Sequence, residues 1–444
     1  MLHFSNFTLM TARICCCLLM LGVYQLRAQF PNILLDEQGA PSEPSIVINP
    51  TNPDNIVAAA IIDKVYVSMD GGKSWTKDHI QSRYGVWGDP CLLADAKGNV
   101  YYLHLSDPTG NNWSSEEILD RIVCQYSADG GKSWSKGGYM GFHHPKDQDK
   151  EWAIADPRSK YLYATWTQFD KYGSKADTDK SNILFARSKN KGKKWSKSVR
   201  INQFSGNCID DDGTTEGAVP AVGPNGEVYV AWALNEHIYF DRSTDRGKTW
   251  LEQDVVAADI GGGWDMEIPG VGRANGMPVT LCDLSNGPHR GTIYLNFADQ
   301  RNGAHDTDVW LVKSTDGGNT WSSPKRINDD GPGKHQFFTW MAIDQTTGYL
   351  YTVFYDRRNH FGNQTDVYVA YSTDGGEHFV NVKISESPFT PRKGPFFGDY
   401  NNISAHAGRI CPIWTRMDAQ GNTSVWTAVL SHQGLLQQAA AGGE

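Results

Sequence analysis

Pairs of short apolar segments recur along the chain, each pair joined by a tight turn. Each pair has an extended apolar run, a Gly- or Asn-containing turn and a second run rich in β-branched and aromatic residues. Three examples are DPCLLADAKGNVYYLHLS (89–106), GAVPAVGPNGEVYVAWA (217–233) and FFTWMAIDQTTGYLYTVFYD (337–356). Seven such pairs occur, the first at 44–63 and the last at 397–416. Short runs with turn signals at this spacing predict β-strands rather than helices.

An eight-residue turn follows six of these pairs. Its copies are SMDGGKSW (68–75), SADGGKSW (127–134), SKNKGKKW (188–195), STDRGKTW (243–250), STDGGNTW (314–321) and STDGGEHF (372–379). The Ser and Asp side chains can hydrogen-bond local amides, Gly takes a positive φ, and the final aromatic ring packs between strands. Asn190 and Phe379 are substitutions that keep these roles. A self-satisfying turn that recurs six times is interpreted as structural rather than catalytic.

The order of these elements predicts a repeat architecture. Each unit reads as strand, turn, strand, loop, strand, box, strand, which gives a four-stranded antiparallel blade. A single blade cannot bury both faces, whereas a ring of blades packs face to face. We therefore predict an all-β, seven-bladed β-propeller over 29–432, with six blades as the alternative. Residues 30–36 are expected to supply the outer strand of the last blade, and residues 433–444 are expected to be a disordered tail.

The N-terminal segment predicts the destination of the protein. Residues 1–28 contain Arg13 and an apolar run at 14–23, the pattern of a secretory signal peptide. The run is too short to span a bilayer. We therefore expect a secreted or periplasmic monomer, with no integral membrane segment in the mature chain.

Charge and cysteine content exclude other classes of protein. The net charge is −9, without a Lys/Arg cluster dense enough to follow a phosphate backbone, so no nucleic-acid partner is expected. Five widely spaced cysteines remain after the signal segment, and they form neither a disulfide framework nor a zinc pattern. Cys91, Cys124 and Cys411 lie in apolar runs and are interpreted as buried packing residues.

The repeated turn resembles the Asp-box (BNR) repeats of the sialidase-like β-propellers, of the secreted bacterial type. The resemblance covers nearly all of the mature chain and implies an exported glycan-active hydrolase that cleaves a terminal, anionic sugar. Asp-box propellers also include polysaccharide lyases and non-enzymatic proteins. A uronate lyase, with His144, Tyr172 or Tyr400 as base and Arg273 as neutralising group, and a non-catalytic glycan- or protein-binding propeller are therefore alternatives.

One position departs from the sialidase pattern. The resemblance implies three arginines that grip the substrate carboxylate, the first of them at the opening of the first blade. Glu43 occupies that place here. An acidic residue there would repel a sialic acid carboxylate, so Arg273, Arg301 and Arg358 are considered as a different clamp.

The strand order indicates where a ligand would bind. A box between the third and fourth strands shares a rim with the turn between the first and second, so the loops that enter the inner strands lie on the opposite rim. Carboxylates, arginines and aromatic residues concentrate in those loops, as expected for a site that holds and cleaves a sugar. The candidate catalytic residues are Asp89, Asp149, Glu151, Glu216 and Tyr400. The candidate substrate-binding residues are Arg273, Arg301, Arg358, Trp152, Trp264, Trp340 and Asp399.

Two groups of residues have competing interpretations. An Asp-x-Arg frame followed by Thr-Asp-Val occurs at both 298–310 and 355–368, and this favours ion pairs inside each blade for Arg301 and Arg358. Asp210, Asp211 and Asp212 could bind calcium through hard oxygen ligands. They lack the full alternating calcium-loop pattern, so a solvated acidic loop is favoured, and no other metal or cofactor is expected.

Overall fold

Seven β-sheets form a closed ring in the computed structural model, which describes Met1 and residues 30–442. Within each sheet neighbouring strands are antiparallel, and six of the seven sheets follow the chain order from first to last strand. The predicted seven-bladed all-β propeller is confirmed, and the six-bladed alternative is wrong. The predicted signal peptide lies outside the described residues, apart from Met1.

Strand β1 (Ile33–Asp36) precedes the first complete blade. Blade 1 contains β2 Ser45–Ile48, β3 Ile56–Ala60, β4 Lys64–Ser68 and β5 Thr76–His79. Blade 2 contains β6 Gly88–Ala94, β7 Val100–Leu105, β8 Ile122–Ser127 and β9 Gly138–Met140. Blade 3 contains β10 Asp147–Ala155, β11 Leu162–Phe169, β12 Ser181–Ser188 and β13 Val199–Arg200.

The second half of the ring repeats this arrangement. Blade 4 contains β14 Glu216–Val222, β15 Val228–Leu234, β16 His237–Ser243 and β17 Val255–Asp259. A small hairpin follows it, β18 Asp265–Met266 and β19 Ala274–Asn275. Blade 5 contains β20 Val279–Cys282, β21 Ile293–Asp299, β22 Asp308–Ser314 and β23 Lys325–Arg326. Blade 6 contains β24 Gln336–Asp344, β25 Tyr349–Asp356, β26 Asp366–Ser372 and β27 Val380–Lys383.

Both ends of the chain meet in blade 7. Its inner three strands are β28 Asn402–His406, β29 Arg409–Met417 and β30 Thr423–Thr427. Strand β1 pairs with β30 and supplies the fourth strand, as expected from the run at 30–36. Sharing one blade between the two ends of the chain closes the ring with backbone hydrogen bonds. The short strand β31 (Leu430–Ser431) also pairs with β29.

Within the segment expected to be a disordered tail, the described residues 433–442 are helical. Helix α1 spans His432–Gly442, and Leu435 in its first turns is fully buried. His432 packs on the rings of Tyr349 and Tyr371 in blade 6. The low complexity of this segment favoured disorder, whereas burial of Leu435 holds the helix against the ring. In the part of the chain that the structure describes, no helix is long and apolar enough to cross a membrane.

The second strand of each blade is apolar on both faces, because both faces are covered by neighbouring blades. Trp166, Trp232 and Trp414 lie on second strands and are completely buried. Such strands read as continuous hydrophobic runs rather than alternating ones. The five cysteines among the described residues are also buried and unpaired, which confirms the packing role expected for three of them.

The boxes connect third and fourth strands, as predicted, and their Ser and Asp or Asn side chains hydrogen-bond within the turn. In the first box the Ser68 hydroxyl donates to Asp70 at 2.9 Å and accepts from the Gly72 amide at 2.8 Å. Hydrogen bonds from Ser74 and then Ser68 lower the pKa of Asp70 to about 2. In the third box Asn190 takes the same position and accepts from Ser188 at 2.9 Å. The boxes are thus structural turns in the ring.

On the opposite rim, four inner strands begin with a β-bulge that contains one residue of positive φ. These residues are Asp89 (51°), Lys150 (51°), Gly217 (76°) and Phe338 (49°), in β6, β10, β14 and β24. Glu43, just before β2, has the same φ of 51°. A bulge redirects side chains and is frequent beside functional sites. These bulges all lie where an inner strand begins, on the rim opposite the boxes.

Candidate functional site

A pocket of about 290 Å³ opens on the rim opposite the boxes, where the inner strands of blades 1–3 begin. Five of its ionisable residues come from four different loops or strand entries. They are Glu43, Asp89, Asp149, Lys150 and Arg273. Two predicted catalytic residues, Asp89 and Asp149, and one predicted binding residue, Arg273, therefore meet in one pocket.

Aromatic side chains form the outer part of the same pocket. Trp113 and Phe396 are about half exposed, at 54% and 47%. Trp113 lies in a short 3-10 turn, Asn112–Ser114, and its ring is 5.4 Å from that of Tyr172 and 5.9 Å from that of Trp87. Exposed ring faces beside polar groups are typical of sites that bind sugars and other small molecules.

Asp399 is the centre of the ion-pair network under the pocket. Its carboxylate accepts from Lys150 Nζ at 2.8 Å and from Arg273 Nε at 2.8 Å, with a second contact to Arg273 Nη2. Burial by itself would raise the pKa of Asp399, but Lys150 and Arg273 outweigh it and hold that pKa well below its usual value. Asp399 is therefore a permanent anion that positions the two cations.

Arg273 has a second carboxylate partner. Its Nη1 donates to Asp210 Oδ2 at 2.5 Å, and that same oxygen accepts from the Tyr172 hydroxyl at 2.9 Å. Burial disfavours the charged guanidinium, but Asp399 and then Asp210 outweigh it and raise the pKa of Arg273. Arg273 is consequently neutralised within the protein before any ligand arrives.

Glu43 and Asp89 form a carboxyl–carboxylate pair in the pocket wall. Their side chains hydrogen-bond to each other, and Glu43 Oε1 also accepts from the Asp399 amide at 3.1 Å. Burial, followed by the charges of Asp89 and Asp399, raises the pKa of Glu43 well above its usual value. Two carboxyl groups in contact cannot both ionise easily, so the singly protonated form of this pair is favoured.

Asp149 is a carboxyl group whose pKa falls close to neutrality. Burial raises the pKa of Asp149 to about 7, with Lys150 opposing and Asp89 reinforcing the shift. Its Oδ1 accepts from the Lys150 amide at 2.9 Å, and only 7% of the residue is exposed. A carboxylic acid poised near pH 7 on a pocket wall can donate or accept a proton in catalysis.

Two predicted catalytic residues, Glu151 and Glu216, lie beneath the pocket rather than on its wall. Both are almost completely buried, and none of their carboxyl oxygens has a hydrogen-bond partner among the described residues. Burial raises the pKa of each well above its usual value, with Asp89 and Asp210 as the next largest causes, respectively. The protonated form of each is therefore favoured, and neither carboxyl group lies on the pocket wall.

Tyr400 and two of the predicted tryptophans also form a layer below the pocket. The Trp152 ring lies 4.2 Å from that of Trp340 and 5.1 Å from that of Tyr400. Burial and then Asp89 raise the pKa of Tyr400 well above its usual value. Trp264 is buried over Gly217. These aromatic residues support the site from below instead of stacking on a ligand.

Arg301 and Arg358 do not join Arg273. Arg301 pairs with Asp299 at 2.5 Å, and Arg358 pairs with Asp356 at 2.8 Å, each within one blade. Their guanidinium groups also lie over Trp310 and Tyr368, in the same two blades. The recurring Asp-x-Arg frame therefore forms the ion pairs that its repetition predicted, and not a three-arginine clamp.

The acidic loop considered for calcium is held by protein donors. Asp210 pairs with Arg273, Asp211 accepts from the Gly213 amide at 2.8 Å, and Asp212 accepts from the Asp265 amide at 3.1 Å. Across residues 30–442, no group of three or more His, Cys, Asp or Glu side chains is arranged to hold a metal ion. The loop instead supplies Asp210 to the arginine network.

Sequence reasoning did not select several residues of the site. Glu43 stands out in the sequence only as a departure from the sialidase pattern, and Lys150 belongs to no motif of its own. The recurring place of Glu43, Asp89 and Lys150 at strand entries was the available signal. Trp113 and Phe396 carried no signal beyond lying in loops of the correct rim.

Comparisons with known proteins agree on the fold. The BNR/Asp-box repeat model matches residues 125–136, which contain the whole second box. The NanB sialidase from Streptococcus pneumoniae has a similar structure, with a TM-score of 0.50 and 12% identity over 78% of this chain and 68% of that one. The α-L-arabinofuranosidase ARB93A from Fusarium graminearum has a TM-score of 0.49 and 11% sequence identity, and the match covers 78% of this chain and 93% of that one. A protein of unknown function from Dyadobacter fermentans has a TM-score of 0.47 and 14% sequence identity, and the match covers 91% of this chain and 98% of that one. At these identities the similarity is one of fold: a sialidase-like propeller.

Proposed function

We propose that this protein is a glycan-active hydrolase that cleaves a neutral terminal sugar in the pocket at the entry of blades 1–3. The observation that carries the proposal is the division of protonation states among neighbouring carboxyl groups. Asp149 has a pKa of about 7, the Glu43–Asp89 pair shares a proton, and Asp399 is ionised. Separated carboxyl pKa values are the arrangement that glycoside hydrolysis requires.

Roles follow from access to the pocket. Asp149 serves as the general acid, since its protonated form is available up to about pH 7. Asp89, which hydrogen-bonds with Glu43, is the second carboxyl group on the pocket wall. Trp113 and Phe396 provide ring faces for the sugar, and Lys150 and Arg273 orient hydroxyl groups.

The charge of the pocket favours a neutral sugar over the anionic sugar that the family resemblance implied. Three carboxyl groups line the wall, and its two cations are already paired with Asp399 and Asp210. A substrate carboxylate would have to displace one of these buried partners, which costs several kcal/mol. Sugar hydroxyls can instead donate to carboxylates without adding charge.

The test is hydrolysis of aryl glycosides of neutral sugars, including arabinofuranosides and hexopyranosides, alongside an aryl α-sialoside. We expect turnover of at least one neutral glycoside and none of the sialoside. Asp149→Asn should lower kcat about 100-fold or more, in the range of general acid catalysis. Glu267→Gln is the matched control, because this carboxylate on the same rim is 94% exposed and outside the pocket.

Two outcomes would contradict the proposal. Turnover of the sialoside alone would show that the substrate is an anionic sugar instead of a neutral one. Sugar binding by the wild type without turnover, unchanged in Asp149→Asn, would make this a binding propeller.

A further inference from the structure

The third box differs from the others in charge and lies on the rim opposite the proposed active site. It reads SKNKGKKW and continues with Ser196 and Lys197, so it carries Lys189, Lys191, Lys193 and Lys194 within six residues. All four lysines are exposed. None of the other five boxes has more than one lysine, so the turn itself does not require them.

Loops from two neighbouring blades add further positive charge around this box. A groove of about 610 Å³ lies between the box, the 157–160 turn of blade 3 and the 95–97 turn of blade 2. Six of its lining residues are cationic: Lys97, Arg158, Lys160, Lys189, Lys191 and Lys193. Within the described chain, Arg158 is the one member of this set that forms an ion pair, with Asp156 at 3.6 Å.

The single carboxylate in the groove is already occupied. Asp95 accepts from the Lys97 amide at 2.9 Å, the Asn99 side chain at 2.8 Å and the Tyr101 hydroxyl at 2.8 Å. It is therefore a turn residue and not a partner for the lysines.

Lys191 donates to Asn99 Oδ1 at 3.1 Å, and the ammonium groups of Lys191 and Lys193 lie 5.2 and 5.4 Å from the Tyr126 ring centroid. None of these contacts neutralises the lysines, so the groove stays cationic in a protein of net charge −9.

Two adjoining depressions extend the same surface. One, of about 360 Å³, lies between Arg187, Lys189 and Lys194, with Tyr161 and Trp195 in its walls. The other, of about 510 Å³, includes Lys193, Lys194 and Lys197, with Arg83 at its far side. Neither has a carboxylate in its lining. The surface is an elongated cationic track with partly exposed aromatic walls.

We propose that this track binds an anionic polysaccharide, sulfated or carboxylated, at a site separate from the pocket. Repeated anionic groups along a chain match cations spread over three connected depressions. The volume of the main groove is in the range of ligand sites, and the partly exposed rings of Tyr161 and Trp195 offer faces for sugar rings. Rings occur at separate places along the track, Tyr161 and Trp195 in one depression and Tyr139 and Phe142 in another, which suits stacking of successive sugar rings along one chain.

Binding of heparin, polygalacturonate and neutral dextran, measured by titration calorimetry at 50 and 200 mM NaCl, tests the proposal. We expect the two anionic polymers to bind, more weakly at higher salt, and dextran not to bind. The triple variant Lys189→Gln, Lys191→Gln, Lys193→Gln should bind about tenfold more weakly, since each exposed charge contributes a fraction of the free energy. Asp149→Asn should bind normally, which separates this site from the proposed catalytic pocket.

The matched control replaces one lysine in each of three other boxes: Lys73→Gln, Lys132→Gln, Lys248→Gln. It removes the same charge from equally exposed box positions and should change the affinity less than twofold. If the first triple variant has a lower urea midpoint than wild type, Lys160→Glu in the adjacent turn replaces it. Absence of binding, an equal loss in the control, or tighter binding of a DNA duplex or of anionic vesicles would overturn the proposal.

Discussion

Blades 3 and 6 use the same backbone device for opposite purposes. In each, the inner strand begins with a bulge, and one bulge residue has a φ near 50°. In blade 3 this stretch is Asp149-Lys150-Glu151-Trp152, and in blade 6 it is Phe337-Phe338-Thr339-Trp340. The first places Asp149 and Lys150 in the wall of the pocket. The second packs against Phe397 and Tyr355 and forms an aromatic wall.

The difference shows that backbone geometry decides where these side chains go, whereas residue type decides what they do there. The charged bulge contributes to stability only through its partners, because Lys150 and Asp149 are both nearly buried. The aromatic bulge contributes through burial of apolar area and needs no partner. Three variants and one pH profile test this distinction.

Lys150→Met should cause the largest loss of stability. It leaves Asp399, whose side chain is fully buried, with Arg273 alone, and breaking a buried ion pair costs about 3–5 kcal/mol. Urea unfolding at pH 7 measures the loss. The loss should shrink towards pH 4, because the pKa of Asp399 rises when Lys150 is removed and protonation relieves the unpaired charge. Lys146→Met is the control: its pair with Asp170 is half exposed, so less than about 1 kcal/mol is expected.

Phe338→Ala, at the equivalent bulge position, should cost about 3 kcal/mol through the cavity it leaves. The same urea experiment at pH 5 and pH 8 should give equal losses, since the variant removes no titrating group. A loss that changed strongly with pH would show that the aromatic and charged halves of the ring are coupled.

The pH dependence of turnover tests the state of Asp149. Burial raises the pKa of this acid to about 7, so its protonated form dominates below pH 7. If it is the general acid, kcat/KM should be level just below pH 7 and fall about tenfold per pH unit well above it. Titration of the ¹³C-labelled Asp149 carboxyl group by NMR provides a second readout that needs no substrate. A midpoint near pH 4 would remove Asp149 from this role.

Glu216→Gln should have the smallest effect, with a dependence on pH opposite to that of Lys150→Met. The folded-state pKa of Glu216 is raised, so the unfolded chain loses its proton first and wild-type stability falls as pH rises above about 4.5. Glutamine does not titrate, so the stability of the variant relative to wild type should be greater at pH 8 than at pH 4. Glu252→Gln, at an exposed position, should change neither value. A stability relative to wild type that is lower at pH 8 than at pH 4 would indicate that the carboxylate form has an unseen partner.

Part of the site was predictable from the sequence, and the reason lies in the repeat. Strand order placed the boxes on one rim and the candidate residues on the other, so Asp89, Asp149 and Arg273 could be selected in advance. The sequence did not predict how deeply each of these side chains is buried in the ring. Glu151 follows Lys150 by a single residue, yet it lies beneath the pocket, because the bulge sends neighbouring side chains in different directions.

The sequence also did not predict which charged residues form ion pairs with each other. Arg273 and Asp399 are 126 residues apart, and Lys150 and Asp399 are 249 apart. Nothing in the linear sequence distinguishes Arg273, which enters the central network, from Arg301, which remains in its own blade, except that the Asp-x-Arg frame is repeated.

The sequence by itself determined the number of blades, the rim on which each loop lies and the closure of the ring by residues 30–36, because these follow from local turn chemistry and from strand periodicity. Only the tertiary structure decided which carboxyl groups share a proton, which are ionised and which are buried. Those properties depend on distances and burial across the ring, and the same ring closure that the repeats encode brings the groups together.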